Sequence, residues 1–181
     1  VVSALAAAPA SAADELDSLM VKVLCSPADY CKSLLSDLDL RRVIVEDAQT
    51  LLTSRFAGRM TVGDEETFLA NMGVSKKTYN QLCDEGACMS EIAEQLGFQY
   101  AIEVKIARLG QRARVLVRLF SAEQGTYLLV KQNRYRGGEA LVDGLEGLLT
   151  PLMDHLGGLL DQGQAANCKG AEQIVDLKGT K

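Results

Sequence analysis

Hydrophobic periodicity along the chain switches repeatedly between the two-residue repeat of a strand and the three-to-four-residue repeat of a helix. Leu19 to Leu24 (Leu-Met-Val-Lys-Val-Leu) is short, apolar and β-branched, which suits an inner strand, with a helix starting at Asp14 as the competing reading. From Leu38 to Arg55 the apolar positions Val43, Ile44, Ala48, Leu51 and Leu52, then Phe56, recur at helical steps and predict an amphipathic helix stopped by Gly58. Met60-Thr61-Val62 predicts a short strand. Gly63 to Glu66 then reads as a turn whose acids favour the start of a helix, with Phe68, Leu69 and Met72 on its buried side. Val74 to Leu82 is polar and predicts a surface helix or loop.

Cys83 to Cys88 forms a turn-rich loop, after which Ser90 is placed to cap a helix running through Leu96 and ending at Gly97, with Ile92, Ala93 and Leu96 facing inward. Three alternating strands follow. Tyr100, Ile102, Val104 and Ile106 define one face of the first and Ala101, Glu103, Lys105 and Ala107 the other. Leu109-Gly110-Gln111 makes a hairpin turn into the second, where Ala113, Val115, Val117 and Leu119 continue the buried face and Arg114, Leu116, Arg118 and Phe120 point away. Glu123-Gln124-Gly125 turns the chain into Thr126 to Arg134, and Gly137-Gly138 ends the sheet. A last helix from Glu139 to about Leu160 presents Leu141, Val142, Leu145, Leu148, Leu149, Leu152, Met153 and Leu156 on its apolar side, with Pro151 expected to kink or break it. The predicted fold class is α/β of the α+β two-layer kind: a mixed β-sheet with a C-terminal antiparallel meander, flanked by helices.

A chain of 181 residues, 48% hydrophobic and 24% charged, is long enough for one well-buried core and short for two. That core is assigned to 14–160. Residues 1–13 are small and apolar, and Ala10-Ser11-Ala12 before Ala13-Asp14 has the look of a signal peptidase site, so they read as a signal-peptide remnant. Residues 161–181, rich in Gly, Gln and Ala near their start, read as a flexible tail. No other apolar run approaches the ~20 residues of a membrane-spanning helix, and no transmembrane segment is expected.

Charge is distributed unevenly. Between Glu103 and Arg136 eight bases face two acids, a local +6 in a chain of net −5, so the remainder carries −11. Sheet and helices are therefore expected to present opposite potentials.

Five cysteines, four of them in two close pairs, favour an oxidising compartment. Cys25 with Cys31 and Cys83 with Cys88 are the preferred disulfides, although other connectivities remain open. Neither pair has the two-residue spacing typical of zinc ligands and His155 is the sole histidine, so no metal is expected. Lys22-Val23-Leu24 before Cys25 is too bulky for a lipidation site. Cys168 is left over, either as a free thiol or as a link to another cysteine or chain.

The run Leu82-Cys83-Asp84-Glu85-Gly86-Ala87-Cys88-Met89-Ser90-Glu91-Ile92-Ala93-Glu94-Gln95-Leu96-Gly97-Phe98-Gln99-Tyr100 resembles the TolB N-terminal-like, CsgG-like family of periplasmic domains. In that family cysteine, loop, cysteine, short helix and leucine-glycine lead into a strand and hairpin. The order of the preceding elements corresponds too, so the resemblance spans about Leu19 to Leu160, while Lys105 stands where members usually have a glycine. It implies an exported, periplasmic protein-interaction domain, non-enzymatic, acting in assembly or regulation of a bacterial envelope machine.

The search for chemistry leads the same way. His155 sits among Met153, Asp154 and Leu156 on the last helix, and neither Gly137-Gly138 nor Gly157-Gly158 has the context of a phosphate loop. No catalytic residue and no cofactor is assigned. Interest falls on the strands, where Lys105, Arg112, Arg114, Arg118, Lys131 and Arg134 are the candidate interaction residues. They suit an envelope protein with an acidic surface. Alternatively they bind an anionic ligand or polymer, or simply solvate an open face. The few aromatics among them, Phe120, Tyr127 and Tyr135, argue against nucleic acid. A homo-oligomer is also compatible.

Overall fold

The computed structural model describes residues 16–35, 39–75, 77 and 89–176, with the side chains of the last helix described up to Gln162. Five strands form one mixed sheet: β1 (Asp17–Ser26), β2 (Met60–Asp64), β3 (Tyr100–Leu109), β4 (Arg112–Ser121) and β5 (Thr126–Tyr135), in the order β2-β1-β3-β4-β5. Among the described residues five helices accompany them: α1 (Ala28–Leu34), α2 (Leu40–Arg55), α3 (Glu65–Asn71), α4 (Met89–Leu96) and α5 (Gly138–Asp176). The architecture is α+β and two-layered, with α2 and α5 on one face of the sheet and the shorter α3 and α4 over part of the other.

The segment at Leu19 is a strand. β1 runs parallel to both β2 and β3, between them in the sheet, and helices cover it, so Leu19 through Val23 are all buried. A strand covered on both faces loses its alternation, which is why periodicity left a helix in contention there. Alternation returns in the meander. Ile102, Val104 and Ile106 from β3 and Ala113, Val115, Val117 and Leu119 from β4 enter the main core with Ile44, Ala48 and Leu52 of α2 and the leucines of α5.

Several local expectations are corrected. β2 extends through Gly63 to Asp64, because the Asp64 side chain accepts from the Thr67 amide (2.8 Å) and caps α3 from the strand's own last residue. Met72 falls at the C-cap of α3 and is exposed, while Phe68 and Leu69 alone fill the buried side. α4 begins at Met89, itself buried, so Ser90 lies within the first turn and is not its cap. α5 continues through Pro151 to Asp176, past the Leu160 at which the periodicity stops. α1, only seven residues long, is too short to show a periodic stripe in the sequence.

Cys25 on β1 and Cys31 on α1 are joined by a disulfide across a Cα–Cα separation of 6.2 Å. The Cys83 and Cys88 pair, the segment 1–13 read as a signal-peptide remnant and most of Val74 to Leu82 lie outside the described residues.

Candidate docking face of the sheet

The face of the sheet opposite α2 and α5 is organised as successive rungs, each with one residue from β1, β3, β4 and β5. The first is Met20, Ala101, Phe120 and Tyr127, the second Lys22, Glu103, Arg118 and Val130, the third Leu24, Lys105, Leu116 and Gln132, and the fourth Ser26, Ala107, Arg114 and Arg134. Only the first is fully roofed. Met20, Ala101 and Phe120 are buried with Phe68 and Leu69 of α3 and Met89, Ile92, Ala93 and Leu96 of α4, and the Phe120 and Tyr127 rings meet edge to face at 5.4 Å.

The second rung is a charged seam at the edge of that roof. Glu103 is 3% exposed and Lys22 5%. The Arg118 guanidinium donates to Glu103 Oε1, Lys105 Nζ stands 3.5 Å from the same oxygen, and Tyr127 Oη donates to Oε2 at 3.2 Å. Arg118 also stacks on the Tyr127 ring, its Cζ 4.0 Å from the centroid. This set of donors engages both oxygens of the buried carboxylate, and together with the Tyr127 ring it holds Arg118 in a fixed pose.

Beyond the seam the face is open. Leu24 is 36% exposed and Leu116 half-buried on either side of the exposed Lys105, Val130 at the β5 end of the seam is 48% exposed, and Arg114 and Arg134 are exposed on the fourth rung beside this interrupted apolar strip. Arg114 hydrogen-bonds the neutral Gln132 side chain at 2.8 Å, and neither Arg112, Arg114 nor Arg134 forms an ion pair with an acid among the described residues. Helix acids engage helix or loop arginines instead: Asp154 pairs with Arg55 at 2.9 Å and Asp161 with Arg59 at 2.6 Å.

Five of the six interaction candidates thus share one face. Arg112, at the hairpin end of β4, and Arg114 and Arg118 alternate along it, with Lys105 and Arg134 beside them. Lys131 does not join them. Its register partner is Val117, which faces α2 and α5, because a bulge at Leu119/Phe120 shifts the pairing: Phe120 pairs with Tyr127 but Leu119 with Leu129. Counting alternation from Tyr127 would place Leu129 and Lys131 on the open face; the extra residue inverts the parity and sends Val130, Gln132 and Arg134 there instead. Sequence reasoning also missed Glu103 as the partner that neutralises Arg118. The signal was available in part, since Glu103 stands among apolar residues in an alternating strand.

A second concavity, about 430 Å³, opens where β1 and β2 end and α2 and α3 begin. Its charges are satisfied internally: Arg42 pairs with Glu46 at 2.7 Å and Arg41 with Glu65 at 3.5 Å. His155 is exposed on α5 beside the Asp154 that binds Arg55. No group of three or more potential metal ligands occurs among the described residues, and no helix there is long and apolar enough to cross a membrane.

No family model and no curated sequence matches the chain. Solved structures similar to it include the LpoB C-terminal domain from Salmonella enterica (13% identity over 66% of this chain and 82% of that one, TM-score 0.43). The PelC dodecamer from Paraburkholderia phytofirmans is another, with 10% identity over 76% of this chain and 86% of that one, TM-score 0.43. TolB from Acinetobacter baumannii matches 76% of this chain but only 29% of its own, with 17% identity and a TM-score of 0.38.

Proposed function

We propose that this chain is a non-enzymatic protein-interaction domain that docks an acidic protein surface on the open half of its sheet. One observation carries the reading: exposed Leu24 and Val130 lie among Lys105, Arg114 and Arg134 on a flat, strand-built surface, while the acid on that face, Glu103, is buried and already engaged. Exposed apolar side chains ringed by exposed cations form the composition of a docking surface, with burial supplying affinity and charge supplying encounter rate and register. The apolar strip also favours a protein over an anionic polymer or small ligand, which would need the bases alone.

The Cys25–Cys31 disulfide supports an exported setting, because such bonds persist where thiols are not kept reduced. The resemblance of Leu82 to Tyr100 to TolB N-terminal-like domains supports a role in assembly or regulation of a bacterial envelope machine.

The test is comparative capture from a bacterial envelope extract at low and high salt, using the protein and an Arg114→Glu/Arg134→Glu variant. Acidic proteins retained at low salt, released at high salt and absent from the variant support the reading. Identical capture by both proteins, or capture indifferent to salt, overturns it.

A further inference from the structure

We infer that the partner adds an extended, acid-bearing strand to the outer edge of β5. The inference rests on the reading of the open face as a docking surface and specifies what is docked there.

β5 ends the sheet: no other strand pairs with its outer edge among the described residues. It is ten residues long, whereas the opposite edge strand, β2, has five and is flanked by helices at both ends. Long exposed edges template pairing with another chain unless they are short, bulged, proline-bearing or charged. β5 contains no proline. Its bulge lies near its start, leaving Leu129 to Tyr135 in regular register with β4, and Lys131 through Arg134 are all exposed. The protection present is cationic, from Lys131 and Arg134, and a cation discriminates between partners.

A second copy of the chain brings no acid to this edge. Two β5 strands paired antiparallel about Gln132, the middle of the regular segment, would set Lys131 of one copy opposite Asn133 of the other and Arg134 opposite Val130. Opposite charges directly across a strand pair stabilise it, and a foreign strand with acids opposite Lys131 and Arg134 supplies them. Strand parity then gives the pattern of the ligand. Side chains on its open-face side lie beside Val130, Gln132 and Arg134 and extend the apolar and basic strip; those on the other side lie beside Lys131, Asn133 and Tyr135. Lys131, excluded from the open face by the bulge, acquires a role at the edge. The incoming strand therefore carries acids on both of its faces with apolar residues between, a recognition mode in which backbone hydrogen bonds give affinity and alternate side chains give selectivity.

The probe is a fluorescein-labelled heptapeptide, Thr-Val-Glu-Val-Val-Glu-Thr, whose two acids three residues apart face opposite sides of the strand, titrated into the whole protein at low salt and followed by anisotropy, with amide hydrogen exchange recorded on the same complex. Strand addition predicts binding that slows exchange of β5 amides. It also predicts that Lys131→Glu weakens binding by about fivefold, the equivalent of one cross-strand charge pair turned repulsive, while Arg42→Glu, exposed on α2 over the β1 and β2 side of the sheet, leaves it within twofold. Far-ultraviolet circular dichroism of both variants checks that they are folded. Binding unaffected by Lys131→Glu, or binding without protection of β5 amides, overturns strand addition and leaves face docking standing. No binding of the peptide, or a β5-mediated dimer of the protein by size-exclusion chromatography and exchange, overturns strand addition as well. Face docking itself is decided separately by the capture experiment with Arg114 and Arg134 reversed.

Discussion

Arg118 on β4 and Glu103 on β3 are directly paired across adjacent antiparallel strands and joined side chain to side chain, with the carboxylate all but excluded from water. The pair marks the line at which the roof of α3 and α4 ends and the open face begins. It engages the carboxylate with Arg118 and Lys105, and leaves Arg112, Arg114 and Arg134 without an ion pair to an acid among the described residues.

Removing that anion is expected to cost more than any other single change on this face. Glu103→Ala leaves the half-buried Arg118 without its counter-charge, a situation that typically costs about 3 kcal/mol or more. Urea denaturation should show it, and a Glu103→Leu/Arg118→Met variant should recover part of the loss by replacing the pair with apolar contacts. If Glu103→Ala unfolds at the wild-type midpoint, the seam has no structural role.

Tyr135 and Gly144 make a close contact between β5 and α5. Tyr135 Oη donates to the Gly144 carbonyl at 3.1 Å, and a Cβ on Gly144 would lie 2.4 Å from the Tyr135 ring. Gly144→Ala is expected to destabilise by about 1–3 kcal/mol through overpacking, despite the better helix propensity of alanine. Combining it with Tyr135→Leu should cost less than the sum of the single changes, because the ring that clashes has gone; thermal unfolding of the three variants decides this.

The Cys25–Cys31 disulfide closes a loop between residues six apart in sequence, and loop-closure entropy predicts a contribution of about 2 kcal/mol. Alkylation of the unfolded protein before and after reduction, followed by mass spectrometry, should find these two cysteines protected only before reduction. Reduction should also lower the denaturation midpoint. Free Cys25 in protein purified without reductant would contradict the bond and weaken the case for an oxidising compartment.

Burial raises the Tyr100 phenol above its ordinary value of 10.0, reinforced by the charges of Asp17 and Glu123. The folded state therefore holds the phenolic proton more tightly than the unfolded chain. Its contribution to stability is complete below pH 10.0 and is lost as pH rises through the folded value. Stability measured from pH 8 upward should fall less steeply in Tyr100→Phe than in the parent protein, and equal slopes would show that the phenol is not shielded.

The amino-acid pattern alone determined the meander, the two amphipathic helices α2 and α5, and the sidedness of β4, because in each a sustained period of two or of three to four separates a covered face from an open one. Arg114, Leu116, Arg118 and Phe120 alternate against Ala113, Val115, Val117 and Leu119, and no tertiary information is needed to put them on opposite sides. Where covering is complete, as along β1, or the element is a single turn or two, as in α1, the period carries too little contrast. Tertiary structure decided what each base does. Register between strands assigned Arg118 to Glu103, roofing by α3 and α4 divided one face into a buried end and an open end, and a single bulge at Leu119/Phe120 moved Lys131 off the face and Arg134 onto it. Pairing register and bulges are properties of two strands at once, and the periodicity of one strand contains no record of either.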